Sequence, residues 1–290
     1  MWIAFTCLAA FMQAWRNALQ SQLASQISPL GVTLARFLWA GPLAALYLLA
    51  LHQWQPTPLP TIHYPALGFI CFAALMQILA TALMARLFQL KNFAVGAGLA
   101  KTEALFAAVL GMAFFGTQLS LQAWLGVLIG GFAVMLLSSQ GRWHQLSAPT
   151  VLLGLASGVS FALTSLSVRE AAIRLDVPFP HSAAWVLLSV ISLQTVILCG
   201  YLAIAERHTL HALLRQSRQV VLISTTSCLG SIGWFSAMAL TAVPLVKTLG
   251  QIEVFFMLAI NLWWLKSPAR KRENIGLVLV ALAAVLVLSA

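Results

Sequence analysis

The sequence predicts an all-α integral membrane protein, with ten transmembrane helices arranged as two inverted five-helix repeats. Three observations carry this prediction. Hydrophobic residues make up 61% of the 290 and charged residues only 8%, and the mean hydropathy is +0.94. The surface of a soluble domain needs roughly a quarter of its residues charged. Ten stretches approach the length of about 20 apolar residues that a spanning helix requires: roughly 2–19, 30–51, 64–86, 93–113, 121–139, 150–169, 184–205, 219–240, 244–264 and 274–290. Finally, Glu103 and Glu253 lie near the middle of two of these stretches, 150 residues apart. A carboxylate at bilayer depth is costly and faces the protein interior or a wet cavity. Its recurrence at matched places predicts a duplicated protein with a polar site near its midplane.

Taken in order, the stretches differ in what they offer. The first lacks the positively charged lead of a signal peptide, and nine similar stretches follow it. It carries Gln13, Asn17 and Gln20 on one side, close to Arg16, a pattern suited to a polar cavity wall. The third adds Gln77 and Thr81 at i, i+4. In the fourth, Gly96, Ala100, Glu103, Ala107 and Gly111 share one face, and small residues allow close approach of a helix or a solute. Lys101 is rotated about 200° from Glu103, so it must reach an acid on another helix, line a different wall or snorkel.

In the sixth stretch, Ser157, Ser160, Thr164 and Ser167 recur at helical spacing, a pattern that often serves only to bond helices together. The eighth has Ser227, Ser231 and Trp234 on one side, with Trp234 placed to pack or to meet an apolar part of a substrate. In the ninth, Gly250, Glu253, Met257 and Ile260 form a face, while Lys247 sits near the start, where snorkelling is expected.

The segment 141–150 divides the chain into residues 1–140 and 150–290, each with five helices. An ungapped shift of 150 residues aligns Glu103 with Glu253 and Gly126 with Gly276. An odd number of helices per half sends the second copy through the membrane the other way up. In such inverted repeats, binding sites lie at the repeat interface.

The net charge of +10 is a matter of loops rather than of nucleic acid, because the cations cluster beside helices. Odd-numbered loops and their flanks hold Arg16, Arg36, Arg86, Lys91, Arg142, Arg207, Arg215, Arg218, Lys266, Arg270, Lys271 and Arg272. Even-numbered ones hold Arg169, Arg174 and Lys247. The positive-inside rule then places both termini on the non-cytoplasmic side. Trp2, Trp54, Trp143, Trp263 and Trp264 suit an interfacial belt. No CxxC, HxxxH, P-loop or GxSxG pattern occurs, so neither a metal or other cofactor nor an enzymatic nucleophile is expected.

These halves resemble the EamA-type members of the drug/metabolite transporter superfamily. The resemblance rests on the run AWRNALQSQLASQISPLGVTLARF, with Arg36 early in helix two. It rests also on KTEALFAAVLGMAFFGTQLSLQAWLGVLIGGFAVMLL and its partner QIEVFFMLAINLWWLKSPARKRENIGLVLVALAAVLVL. Family helix four usually bears a proline near Ala104, and the following loop usually reads Gly-Glu. Here Ala104 and Val254 replace the proline, and Gly116-Thr117 and Lys266-Ser267 replace the loop pair. The resemblance implies a basket of ten helices around a central cavity, working by alternating access. Relatives are commonly drawn with cytoplasmic termini; the local Lys/Arg bias of this chain argues the opposite.

The expected function is secondary active transport across a bacterial-type inner membrane. The expected cargo is an exported small amphipathic metabolite, amino-acid-like or amine-bearing. Glu103 and Glu253 are expected to bind it or a coupling proton, Lys101 to meet an anionic group, and Gln13, Asn17, Gln77, Ser231 and Trp234 to line the site. Glu253 is expected to be the more isolated acid and the proton carrier. Uptake is the alternative, and a lipid-handling or structural membrane partner is the reading of another class. Expected partners are the small-molecule solute and the bilayer, the chain acting as a monomer without nucleic acid. No soluble domain is present for ATP hydrolysis, so pumping would draw on an ion gradient or a partner. A polar cavity at the glutamates favours transport; dry ion pairs favour the structural role.

Overall fold

The computed structural model describes residues 1–90, 98–139, 147–263 and 271–290, with the side chains of residues 138–139, 261–263 and 271–274 outside the description. Gly96, the loop residues Lys91, Arg142, His144, Lys266 and Arg270, the side chains of Lys271 and Arg272, and the side chains of Trp143, Trp263 and Trp264 therefore lie outside it. Among the described residues every regular element is helical. In order these are α1 (Trp2–Leu23), α2 (Pro29–Phe37), α3 (Ala40–Trp54), α4 (Tyr64–Phe88), α5 (Glu103–Phe115), α6 (Leu121–Ser139) and α7 (Ala148–Ile173). There follow α8 (His181–Ala205), α9 (Arg207–Arg215), α10 (Ser217–Leu240), α11 (Val243–Leu249), a 3₁₀ turn (Gly250–Ile252), α12 (Glu253–Trp263) and α13 (Lys271–Leu288).

Among the described residues helices lie in all ten predicted stretches, and seven segments are long and apolar enough to cross a membrane. They are Pro29–Trp54, Tyr64–Phe88, Gly98–Phe115, Ala148–Ile173, His181–Ala205, Ser217–Leu240 and Val243–Ile260. The α1 helix is outside the seven because one of its faces is given to Gln13, Arg16, Asn17 and Gln20. Leu121–Leu137 and Ile275–Leu288 are apolar but shorter. The chain is a multi-pass membrane protein by composition and helix length.

Local chemistry sets the helix ends. Ser28 caps α2, its Oγ accepting from Gly31 N at 3.3 Å, with Pro29 at the first position. Ser147 caps α7 in the same way. Gly116 ends α5 in the left-handed conformation (φ 62°), which a residue without Cβ adopts freely. An element not foreseen in the sequence is α9, a short amphipathic helix that buries Thr209 and Leu213 and turns Arg207, His211 and Arg215 outward.

Two helix pairs, α1 with α10 and α4 with α7, form the main seams. Each is close because its residues are small. A Cβ on Gly233 of α10 would lie 2.6 Å from the Phe5 carbonyl oxygen of α1, and Ser157 of α7 donates to the Ala80 carbonyl of α4 at 3.0 Å. Without a hydrophobic drive between helices in lipid, such backbone approach supplies the packing energy.

The last helix of each half, α6 and α13, pack antiparallel. Gly126 of α6 faces Val287 and Ala283, and Gly276 of α13 faces Leu137. The two glycines aligned by the 150-residue shift thus both lie in this seam, at its opposite ends. A Cβ on Gly276 would sit 2.4 Å from Leu137 Cγ. Gly276→Ala is therefore expected to lower the thermal unfolding midpoint, an overpacking cost of about 1–3 kcal/mol. Leu137→Ala added to it should recover part of the loss; a melt unchanged by Gly276→Ala alone would show the seam to be loose.

Candidate functional site

Both glutamates begin a helix. The fourth predicted stretch breaks at Lys101–Thr102, where Lys101 N donates to the Gly98 carbonyl (3.0 Å), Thr102 N to that of Leu99 (3.1 Å) and Thr102 Oγ1 to the same oxygen (2.6 Å). These i→i−3 bonds tighten the chain before α5 restarts at Glu103. The ninth stretch breaks at the 3₁₀ turn Gly250–Ile252, and α12 restarts at Glu253. A carboxylate in the first turn of a helix is favoured by the unpaired N–H groups and the dipole there, by about 0.3–1 kcal/mol at exposed sites. The continuous small-residue face drawn from Gly96 to Gly111 is interrupted at the break. Beyond it, Gly111 packs against Leu166 of α7.

The two breaks meet, and their charges pair crosswise. Lys101 beside the first break holds Glu253 of the second in an ion pair, while Lys247 of α11 lies 3.5 Å from Glu103. Glu253 is fully buried and takes two further hydrogen bonds from α1, Gln13 Nε2 to Oε2 at 2.5 Å and Asn17 Nδ2 to Oε1 at 2.7 Å. Gln13 in turn accepts from the Trp234 indole N–H at 3.0 Å. A face of that indole carries the Lys247 ammonium, 4.3 Å from the ring centroid.

Two expectations change here. Lys247 is buried and paired rather than snorkelling, because it points inward at the acid of the opposite half. Glu253 is the better-partnered acid and Glu103 the looser one, the reverse of the expected division. Lys101 reaches an acid on another helix, Glu253, one of the readings its position left open.

A polar cleft of about 720 Å³, counted with its open mouth, lies beside this knot. Gln13, Asn17, Gln77, Lys101, Glu103, Ser231 and Trp234 line it, and Glu253 does not. The predicted polar face of α1 turns inward as lipid exposure would demand. Gln77 accepts from Gln194 of α8 at 2.7 Å, which fixes its amide. Four further lining residues carry the character of the site: Arg16, Arg36, Thr81 and Lys247. Both arginines had been counted among loop cations. The helix carrying Arg16 runs on to Leu23, past the predicted end, and Arg36 points back into the bundle; each is buried. Arg36 lies well inside its predicted stretch, which was the available signal, whereas Arg16 lies within a turn of the predicted end of its own. Among the described residues no cluster of His, Cys, Asp and Glu is placed to hold a metal ion.

A model of the EamA-like transporter family matches residues 1–139. The match spans just under half of the chain. EamA-like proteins are membrane transporters of the drug/metabolite transporter superfamily rather than enzymes, and the resemblance read from the sequence is correct on this point. The matched EamA-like half contains α1 to α6 and so supplies Gln13, Arg16, Asn17, Arg36, Lys101 and Glu103 to the cleft; Lys247 and Glu253 come from beyond it. Twenty-eight solved chains match this one, which shows the fold to be a shared one. A crystal structure, described only as that of a protein, superposes with a TM-score of 0.70 at 15% identity, covering 98% of this chain and 96% of its own. That likeness concerns the fold alone. Among curated proteins no match was found.

Proposed function

We propose that the chain is a secondary active transporter that carries a small amphipathic metabolite by alternating access. The observation that carries the proposal is the polar cleft bounded by the two broken helices. Discontinuous helices at midplane are where transporters place solute and ion sites, since the helix breaks free polar backbone only where it faces a cavity. Ten spans in two inverted repeats, residues 1–140 and 150–290, are part of this reading. Breaks at matched positions and the antiparallel α6–α13 seam support it. The Lys101–Glu253 and Lys247–Glu103 pairs tie the two breaks together, so rocking of the halves must stretch or exchange them.

Export through a bacterial-type inner membrane, by a monomer, remains the expected direction and setting. The cation bias between odd and even loops survives the removal of the buried Arg16, Arg36 and Lys247 and supports non-cytoplasmic termini. Glu103 is the better candidate for a coupling proton, because it lines the cleft and its lysine stands off at 3.5 Å. Glu253, sealed by three donors, serves as a structural anchor at the centre of the knot. An amine, by contrast, finds both carboxylates already occupied by lysines.

The test is solute flux in proteoliposomes over a range of pH. Wild-type protein should give saturable counterflow, and Glu103→Gln should lose its pH dependence. A mutant with unchanged flux and pH response removes the coupling role, and folded protein with no saturable flux for any metabolite removes transport.

A further inference from the structure

Four cations and one acid line the cleft, with Glu253 buried beside it, and the pairing is uneven. Lys101 and Lys247 each have a glutamate; Arg16 and Arg36 have none among the described residues. Arg16 is buried and makes one hydrogen bond, Nη2 to Asn17 Oδ1 at 3.0 Å, while its Nε is buried without a partner. Arg36 is buried as well and among the described residues donates to neutral hydroxyls, Nε to Ser227 Oγ at 3.0 Å and Nη1 to Thr81 Oγ1 at 2.9 Å. A guanidinium stays charged and offers five donors in a planar fork. Two of them facing one cleft leave it with an excess of positive charge and with unused donors.

We propose that Arg16 and Arg36 form an oxyanion subsite of the cleft, which takes the carboxylate of an amphipathic organic acid. This rests on the transport reading above and names the solute class for the same site. The fork of a guanidinium matches two carboxylate oxygens, and the bonds are charge-assisted. Ser227 at Nε and Thr81 at Nη1 hold Arg36 without neutralising it. Trp234, Phe161, Met84 and Met238 also line the cleft and offer an apolar wall to the body of the acid. An amino acid fits through its carboxylate, and its ammonium gains nothing from acids that lysines already hold.

The experiment uses the purified full chain and compares each carboxylate with its neutral amide: hexanoate with hexanamide, phenylacetate with phenylacetamide, leucine with leucinamide. Inorganic phosphate is run beside them. Thermal stabilisation and proteoliposome flux are both read. Expected is stabilisation by at least one carboxylate with an affinity roughly ten- to hundredfold above its amide, lost in Arg16→Gln and Arg36→Gln. In the wild-type protein, the same carboxylate should protect Arg16 and Arg36 from phenylglyoxal, which decides the matter should a variant fail to fold. Amides binding as well as acids, phosphate binding alone, or silence across the panel overturns the subsite. Flux of a neutral or cationic solute, indifferent to both arginines, overturns the subsite and leaves transport standing. Arginine-dependent binding of a carboxylate without flux leaves the subsite and removes transport.

Discussion

Lys101→Met is expected to lower the unfolding midpoint more than any other single change at the site. Among the described residues it removes the only cation paired with Glu253, which is fully buried and keeps the two amide donors of Gln13 and Asn17. Breaking a buried ion pair from one side leaves a charge without compensation and costs about 3–5 kcal/mol. The damage should come from the orphaned acid rather than from the missing lysine. Adding Glu253→Gln takes that charge away while keeping an amide that Gln13 and Asn17 can still bind. The double variant is therefore expected to melt close to the wild type, and both midpoints can be read by light scattering or intrinsic fluorescence in detergent. A single variant as stable as the wild type would mean that the acid draws its stability from the amides alone. Such a cycle also separates stability from flux, because the recovered double variant lacks the link between the two helix breaks and should transport poorly.

Gly250→Ala is expected to cost both stability and transport. The added Cβ would lie 2.3 Å from Trp234 Cη2 and 2.9 Å from its Cζ3, and an indole has no flexible end with which to yield. Its displacement would cost about 1–3 kcal/mol and break two contacts at once, the hydrogen bond to Gln13 and the ring face under Lys247. Gln13 then loses its fixed orientation toward Glu253, and Lys247 loses its platform beside Glu103. Trp234→Phe removes the atoms that collide, so the Gly250→Ala/Trp234→Phe double variant should regain packing without regaining the indole N–H. Recovery of the melt without recovery of flux is the expected pattern. Equal flux in Gly250→Ala and wild type would show that the indole does not organise the cleft.

How much of this was readable beforehand depends on the range of each interaction. Among the described residues helices lie in all ten predicted stretches, because hydropathy is a local property and a long apolar run must satisfy its own backbone in lipid. The lone acids Glu103 and Glu253 marked the site for the same reason: a charge in an apolar run stands out without any knowledge of its neighbours. The polar face of α1 was legible from spacing alone. What the pattern concealed was partnership. Lys247 lies four residues into its predicted stretch, and by position a lysine there snorkels; only the packing of α11 against the first half shows it reaching Glu103. Arg16 and Arg36 resembled loop cations because the predicted stretch around Arg16 ended too early and the inward aim of a side chain is not written in its spacing. The breaks at Lys101–Thr102 and Gly250–Ile252 carry no proline, so nothing local announced them.

By itself, then, the sequence determined a multi-pass helical membrane protein with matched acids and matched glycines in its two halves. Composition and periodicity suffice for that, since transfer into lipid acts residue by residue. Only the tertiary structure decided that the helices break at those acids, that each lysine serves the acid of the opposite half, and that two arginines remain to face the cleft. Lys101 and Glu253 are 152 residues apart, and the energy of a buried charge depends on what is brought beside it rather than on what precedes it in the chain.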